Sequence, residues 1–279
     1  MKPDQIAIAT VSTAPKEPLE QRLAAYSAAG FRTVELQLGR TKEWLAQGRR
    51  TKDLLNLLES LHLKCCGGFE CGIECFSDVQ RRRKNHTLLV ANARLLAELG
   101  GGVMVVGTDG PGENVPVVPY PRMLNRVGKT LAQVARRFPA SVSLAVEFNW
   151  SPLVKSLRSA VLAAQAARHP RVGILFDTAH YHCTTSKWED LNHTSGPLIK
   201  HVHLNDMLPK PGEHSNCNRD RVLPGSGQGC LDVKGIIRRI EELGYKGYFS
   251  LELFNEALWR KPSSKVSSAM YQAMADLCG

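Results

Sequence analysis

Four polar residues interrupt four successive apolar runs in the second half of the chain. Glu147 stands in Leu144-Ala145-Val146-Glu147-Phe148, and Asp177 closes Gly173-Ile174-Leu175-Phe176-Asp177. His203 sits between Val202 and Leu204, and Glu252 sits between Leu251 and Leu253. Each run has the composition of a buried β-strand, where a carboxylate or imidazole is costly unless a metal, a partner or a substrate compensates it. Two glutamates, an aspartate and a histidine make a ligand set of mixed oxygen and nitrogen character, suited to one divalent ion: Mn²⁺, Mg²⁺, Co²⁺ or Zn²⁺. Taken singly, each residue has a plainer reading, since a strand glutamate can pair with a lysine and a lone histidine can be a hydrogen-bonded core residue. Their equivalent positions in four consecutive units favour the joint reading.

Other polar residues flank the four. His180, three places beyond Asp177, is expected to face a bound ligand past the strand end. His182 points elsewhere if the chain stays extended, and reads as structural or solvent-facing. His201 shares the face of His203 one step deeper and reads as a core histidine with a hydrogen bond. Asp206 is placed to cap the following loop or to hold a neighbouring lysine or histidine. Arg221, in Arg221-Val222-Leu223-Pro224-Gly225-Ser226-Gly227, either grips a hydroxyl, carboxylate or phosphate of a substrate or lies on the surface.

The elements that must position these residues alternate in type. Strand-like runs are Ile6–Val11, Thr33–Leu38, Lys64–Phe69, Val103–Gly107, Val142–Phe148, Val172–Asp177, Ile199–Asn205 and Tyr248–Phe254. Amphipathic stretches lie between them, among them Leu19–Ala29, Met123–Phe138, Leu153–Arg168 and Leu231–Leu243, and a last helix covers Lys265–Leu277. Eight β-α units with no glycine-rich phosphate fingerprint after the first strand predict a single (β/α)8 barrel over residues 1–279. In such a barrel the ends of adjacent strands face a common point. The irregular Met207–Gly229 stretch follows a strand's C-terminal end, where barrel enzymes carry their sites. The last helix can dock on the barrel or reach a second copy of the chain in a homo-oligomer.

The bulk properties narrow the classes. The chain has 279 residues, 43% of them apolar, enough for a sizeable core. It has no apolar run of about 18 residues and no secretory leader pattern, so a cytoplasmic protein without membrane association is expected. The net charge of +10 invites a nucleic-acid reading, but its densest patches, Arg81–Lys84, Arg49-Arg50 and Arg136-Arg137, fall on expected helices and read as solvated faces. Cys65, Cys66, Cys71 and Cys75 lack paired zinc-ligand spacing and read as free thiols.

With these residues in view, a family becomes recognisable. Ala145-Val146-Glu147-Phe148-Asn149-Trp150, Phe176-Asp177-Thr178-Ala179-His180, His201-Val202-His203-Leu204-Asn205-Asp206, Asp220-Arg221-Val222-Leu223-Pro224-Gly225-Ser226-Gly227 and Ser250-Leu251-Glu252-Leu253-Phe254 resemble the xylose-isomerase-like TIM barrels, the sugar phosphate isomerase/epimerase superfamily. Within it, the last two stretches look most like the 2-keto-myo-inositol isomerase branch. The motifs cover residues 143–260, and the first 140 match only in β-α rhythm. The resemblance implies one divalent metal held by Glu147, Asp177, His203 and Glu252, with Glu147 and Glu252 also moving a substrate proton through a cis-enediolate. It also implies substrate contacts from His180 and Arg221, while Trp150 and Phe254 either supply the apolar wall common in sugar pockets or lie in the core. The DNA-repair endonuclease IV group shares the superfamily but needs further histidines after strands three and four and an Asp-x-His after strand seven. Here Asp220 is followed by Arg221 and Val222, so a nuclease is rejected.

The expected activity is therefore isomerisation or epimerisation of a sugar, keto-inositol or related polyol. The alternative is a lyase on the same scaffold, dehydrating a 3-dehydroshikimate-type or cyclic polyol substrate after the same proton abstraction. A non-catalytic sugar-binding protein is the third reading, and the retained ligand types argue against it.

Overall fold

The apolar segments hydrogen-bond edge to edge until the first meets the last. A computed structural model describes residues 1–112 and 120–279. Its strands are β1 (Ile6–Ala9), β2 (Thr33–Gln37), β3 (Lys64–Phe69), β4 (Val103–Val106), β5 (Ser143–Glu147), β6 (Val172–Asp177), β7 (Ile199–Leu204), β8 (Asp206–Met207), β9 (Arg221–Val222) and β10 (Phe249–Leu251). Eight of them close into a parallel barrel in the order β1-β10-β7-β6-β5-β4-β3-β2, and β1 pairs with β2 to complete the ring. The remaining two, β8 and β9, form a small antiparallel pair outside it. Among the described residues, no helix is long and apolar enough to cross a membrane.

Helices start where the sequence supplies caps. Asp78 accepts from the backbone N–H groups of Gln80 and Arg81 at the head of helix Val79–Glu98, and Ser156 and Asp232 cap Leu157–Ala167 and Val233–Glu242 in the same way. The Arg81–Lys84 run lies in the first turns of Val79–Glu98, as expected for a helix face. The last helix, Ser263–Ala275, docks on its own barrel: Tyr271 meets Phe31 edge to face with ring centroids 5.2 Å apart, while Met270 and Met274 are buried.

Several strands are shorter than the apolar pattern suggests, for identifiable reasons. The chain leaves β1 at Thr10, whose hydroxyl accepts from the Gln37 N–H at 2.9 Å and whose carbonyl accepts from Arg22 at 2.7 Å. β10 ends at Leu251 because the Ser12 hydroxyl donates to the Leu251 carbonyl and accepts from the Leu253 N–H, both at 3.0 Å. Side-chain bonds thus replace the ladder on the β1 edge, while on the β7 edge the Glu252 N–H still donates to the Leu204 carbonyl at 3.1 Å. A helix, Leu38–Leu45, follows β2 directly, and a second, Thr51–Ser60, comes before β3. The stretch after Asp177 is not extended either: Thr178–Cys183 is helical.

The barrel interior is divided. On the β3 to β6 side Val105, Ala145 and Leu175 pack together against Phe69. Across from them Glu35 of β2 meets His201 and His203 of β7. This polar half leads up to the barrel mouth, where the candidate site lies.

Candidate metal and substrate site

The register of the strands brings the polar ends together. Asp177, the last residue of β6, stands opposite His203 of β7, and His203 stands opposite Ser250, two residues before Glu252. Glu147 is the last residue of β5. Glu147, His180, His203, Arg221 and Glu252 line one cavity of about 460 Å³, with Trp150, Asn149, Phe69 and Phe254 among its other walls. That volume suits a small ligand.

Three acceptor atoms converge at its floor. His203 Nδ1 is 3.2 Å from Glu252 Oε2 and 3.6 Å from Asp177 Oδ2. All three residues are buried, and the three atoms lie within 4.8 Å of one another. Neither Asp177 Oδ2 nor His203 Nδ1 makes an aligned hydrogen bond, although each is cut off from solvent. Buried carboxylates are expensive without positive charge nearby; Arg221 supplies part of it, 3.1 Å from Asp177 Oδ2 and 2.6 Å from Glu252 Oε2, and a metal cation could supply more. A second triad, Glu147, Asp177 and His180, shares Asp177 with the first. Three of the four expected ligands, Asp177, His203 and Glu252, thus form one metal-capable triad, and Glu147 belongs to the other, with Asp177 common to both.

Glu35 is the residue the sequence reading misses. It is fully buried and accepts from His201 Nε2 at 2.9 Å and from His203 Nε2 at 2.9 and 3.1 Å. A carboxylate can only accept, so the proton of His203 is held on Nε2 and Nδ1 is aimed at the site. Burial acts to raise the Glu35 pKa, and His203 and His201 outweigh it and hold the carboxyl well below its usual range. The signal was present: Val34-Glu35-Leu36 shows the same lone carboxylate in an apolar strand that marks Glu147 and Glu252. His201 is the buried, hydrogen-bonded core histidine expected.

Arg221 is not on the surface. Its side chain is fully buried, and its Nη1 lies 2.6 Å from Glu252 Oε2 and 3.1 Å from Asp177 Oδ2. Its Nε donates to the Cys217 carbonyl, which pins the guanidinium, while Nη2 has no partner. The β8–β9 pair carries it there: Arg221 opposes Met207, and Asp206 Oδ1 caps the loop by accepting from the Leu231 N–H at 2.9 Å. Arg221 is thus tied to two of the candidate ligands and offers one free N–H edge.

His180 is placed by Asp177 itself, whose Oδ1 caps the short helix by accepting from the His180 N–H at 3.0 Å. An aspartate at the end of a strand is a helix-capping signal that the extended reading overlooked. His180 Nε2 is 3.6 Å from Glu147 Oε1. Burial acts to lower the His180 pKa, but Glu147 and Asp177 outweigh it and bring it to about 9. Burial raises the Glu147 pKa, with Asp177 and Glu252 adding to the rise and His180 opposing it. Burial also acts to raise that of Asp177, where Arg221 and then His180 prevail and hold it well below the usual carboxylate range. His182 is structural, as expected: half-buried, with Nε2 3.0 Å from the Lys210 carbonyl, beside a second hollow next to the site. Trp150 stands at the rim, 59% exposed, so a core role for it is excluded.

Residues that would have to serve additional metals are engaged elsewhere. Asp109 accepts from the backbone N–H groups of Cys75 and Phe76, and Asp220 accepts from Lys210 Nζ and the Asn216 N–H. All eight cysteines are free, and burial pushes the Cys65 thiol up to about 12. Among the described residues no cysteine joins a metal-capable cluster.

Comparison with known proteins bears on the family and the fold. The inosose isomerase of Bacillus licheniformis is 30% identical over 124 residues, 44% of this chain and 44% of that protein. The chain spans about half the length of the curated inosose isomerases it matches. A 3-dehydroshikimate dehydratase of Pseudomonas putida is 24% identical over 265 residues, 93% of this chain and 39% of that protein. The crystal structure of the IOLI protein with a bound zinc atom superposes with a TM-score of 0.85 at 20% identity, covering 98% of this chain and 97% of that one. The family model described as xylose isomerase-like TIM barrel matches residues 23–273, and the chain belongs to that family.

Proposed function

We propose that this chain is a single-domain, divalent-metal-dependent isomerase or epimerase of a keto-polyol or sugar, acting by proton transfer through a cis-enediolate. The observation that carries the reading is the convergence of buried Asp177 Oδ2 and His203 Nδ1 on Glu252, with Arg221 Nη1 3.1 Å from the aspartate oxygen and Glu147 in the same cavity. Glu147, Asp177, His203 and Glu252 would hold the ion. A bound divalent cation supplies Lewis acidity, which stabilises negative charge as it develops on the substrate.

The chain's own residues do the rest. Glu147, at the end of β5 and lining the cavity, takes the proton beside the carbonyl. Glu252, held by Arg221 at 2.6 Å, returns a proton from its own side of the cavity. Asn149 Nδ2 donates to Glu147 Oε2 at 3.0 Å and fixes the orientation of that carboxylate. His180, which lines the cavity, and the Nη2 of Arg221, which has no partner in the protein, donate to substrate hydroxyls. Phe254 and Trp150 supply apolar walls on which the faces of a sugar ring can lie. The inosose isomerase matches support a small polyol, rather than a nucleic acid, as the substrate.

The second reading is a dehydratase, favoured by the match to the Pseudomonas putida enzyme over nearly the whole chain. Both reactions start with the same abstraction and separate at the loss of a β-hydroxyl. Incubation with 2-keto-myo-inositol, ketohexoses and 3-dehydroshikimate in deuterated water decides between them. Deuterium in recovered substrate or epimer without loss of water supports the isomerase. An ultraviolet-absorbing unsaturated product supports the dehydratase and overturns the proposal.

A further inference from the structure

A second hollow of about 400 Å³ adjoins the catalytic cavity, and the two share Asn149 and Trp150 as walls. Its other walls include Lys155, His182, Thr184 and Glu213. The short helix Thr178–Cys183 divides its histidines between the two spaces, with His180 lining the first and His182 the second. His182 Nε2 lies 3.0 Å from the Lys210 carbonyl, which fixes the ring against the β8–β9 loop. Gly212 closes the far side: a Cβ there would collide with the His182 carbonyl, so the loop backbone can pack on this helix only without a side chain.

Trp150 is the ridge between the two spaces, and at 59% exposure its indole is open to both. It is also mounted firmly. Asn149, the residue before it, donates to Glu147 Oε2 at 3.0 Å and accepts from the Ser151 N–H at 2.8 Å. The backbone that carries the indole is therefore tied to the end of the strand that carries the proposed base. Hydroxyl, amide and imidazole groups around an exposed aromatic face are the surroundings a sugar ring uses, with its C–H face on the indole and its hydroxyls on the polar rim. The charges of Lys155 and Glu213 offset each other, which suits a neutral ring better than a phosphate. Each hollow falls in the size range of a small-ligand site.

We infer that the second hollow is a subsite for a neutral glycosyl ring, and that the substrate class is a two-ring glycoside. Its keto ring enters the cavity at Glu147 and Glu252, and its glycosyl ring stacks on Trp150. This rests on the reading of the first cavity as a keto-polyol site, and the following test separates the two.

Protein labelled with 5-fluorotryptophan is titrated with methyl β-D-glucopyranoside, cellobiose and glucose 6-phosphate. The Trp150 fluorine resonance, assigned by its loss in Trp150→Phe, is followed in native and chelator-treated protein. The methyl glucoside is expected to shift that resonance saturably, with the same affinity in both preparations. Cellobiose, long enough to reach both hollows, is expected to bind about tenfold tighter, because its second ring binds as a tethered group. Trp150→Ala is expected to weaken cellobiose binding by about fivefold, the scale of a lost aromatic contact. A resonance unmoved by either glucoside, or moved by glucose 6-phosphate alone, overturns the subsite. If the glucosides bind while no ketose exchanges deuterium, the subsite stands and the catalytic reading fails.

Discussion

Replacing Glu35 by glutamine keeps the shape of the side chain and removes its charge, which makes it the sharpest probe of the barrel's polar half. In the native protein one fully buried carboxylate receives His201 Nε2 at 2.9 Å and His203 Nε2 at 2.9 and 3.1 Å. An amide has one accepting oxygen where the carboxylate has two, and its NH₂ group faces an N–H it cannot accept. One imidazole N–H is thus left unpaired in a space without water, at a cost of about 1–3 kcal/mol, and the lost charge assistance brings the total to about 3–5 kcal/mol. The second consequence falls on the site. Without an acceptor at Nε2, His203 is free to turn or to move its proton to Nδ1, and loss of such a partner typically lowers metal affinity by about 10–100-fold. Urea unfolding of chelator-treated protein measures the first effect, and titration with Mn²⁺ or Zn²⁺ measures the second. A stability loss under about 1 kcal/mol, or unchanged metal affinity, would show that Glu35 does not hold His203 in place.

Three further outcomes are expected. Arg221→Met leaves Asp177 and Glu252 buried without their cation, and should cost the chelator-treated protein about 3–5 kcal/mol in denaturant unfolding, much less once a divalent metal is added. His180 has a folded pKa of about 9, above the value of 6.5 expected when unfolded, so its contribution is complete below pH 6.5 and is lost as pH rises through 9. Metal-free protein should lose about 3 kcal/mol of stability across that window, and His180→Gln should flatten the slope; equal slopes in the two proteins would refute the assignment. Glu147→Gln and Glu252→Gln should each slow solvent deuterium incorporation by about 10²–10⁴-fold, as mass spectrometry of a confirmed substrate reads it, and full exchange in either would end the two-glutamate mechanism.

The barrel was legible because buried parallel strands are written as apolar runs, and because a charge inside such a run is visible against its neighbours. Glu147, Asp177, His203 and Glu252 all share that contrast, and the structure places them in one region at the barrel mouth. Glu35 carries the same contrast, but on β2, across the barrel and far away in sequence, where only closure of the ring brings it to β7. Strand ends were less legible because they depend on distant side chains such as Ser12, which takes over the hydrogen bonds of Leu251 and Leu253. The burial of Arg221 was not readable from its turn-forming segment, since it depends on a two-residue pairing of β9 with β8. Alternation could not place His180 and His182 because the chain after Asp177 is helical, a change signalled by the capping carboxylate.

The central claim is that Glu147, Asp177, His203 and Glu252 hold one divalent ion. Elemental analysis of the purified protein after loading with Mn²⁺, Mg²⁺, Co²⁺ or Zn²⁺ and exhaustive dialysis tests it most directly, with His203→Ala measured alongside. The account predicts about one equivalent of metal for at least one of these ions in the wild type and loss of that equivalent in the variant. No stoichiometric metal under any loading, or an undiminished equivalent in His203→Ala, would contradict it.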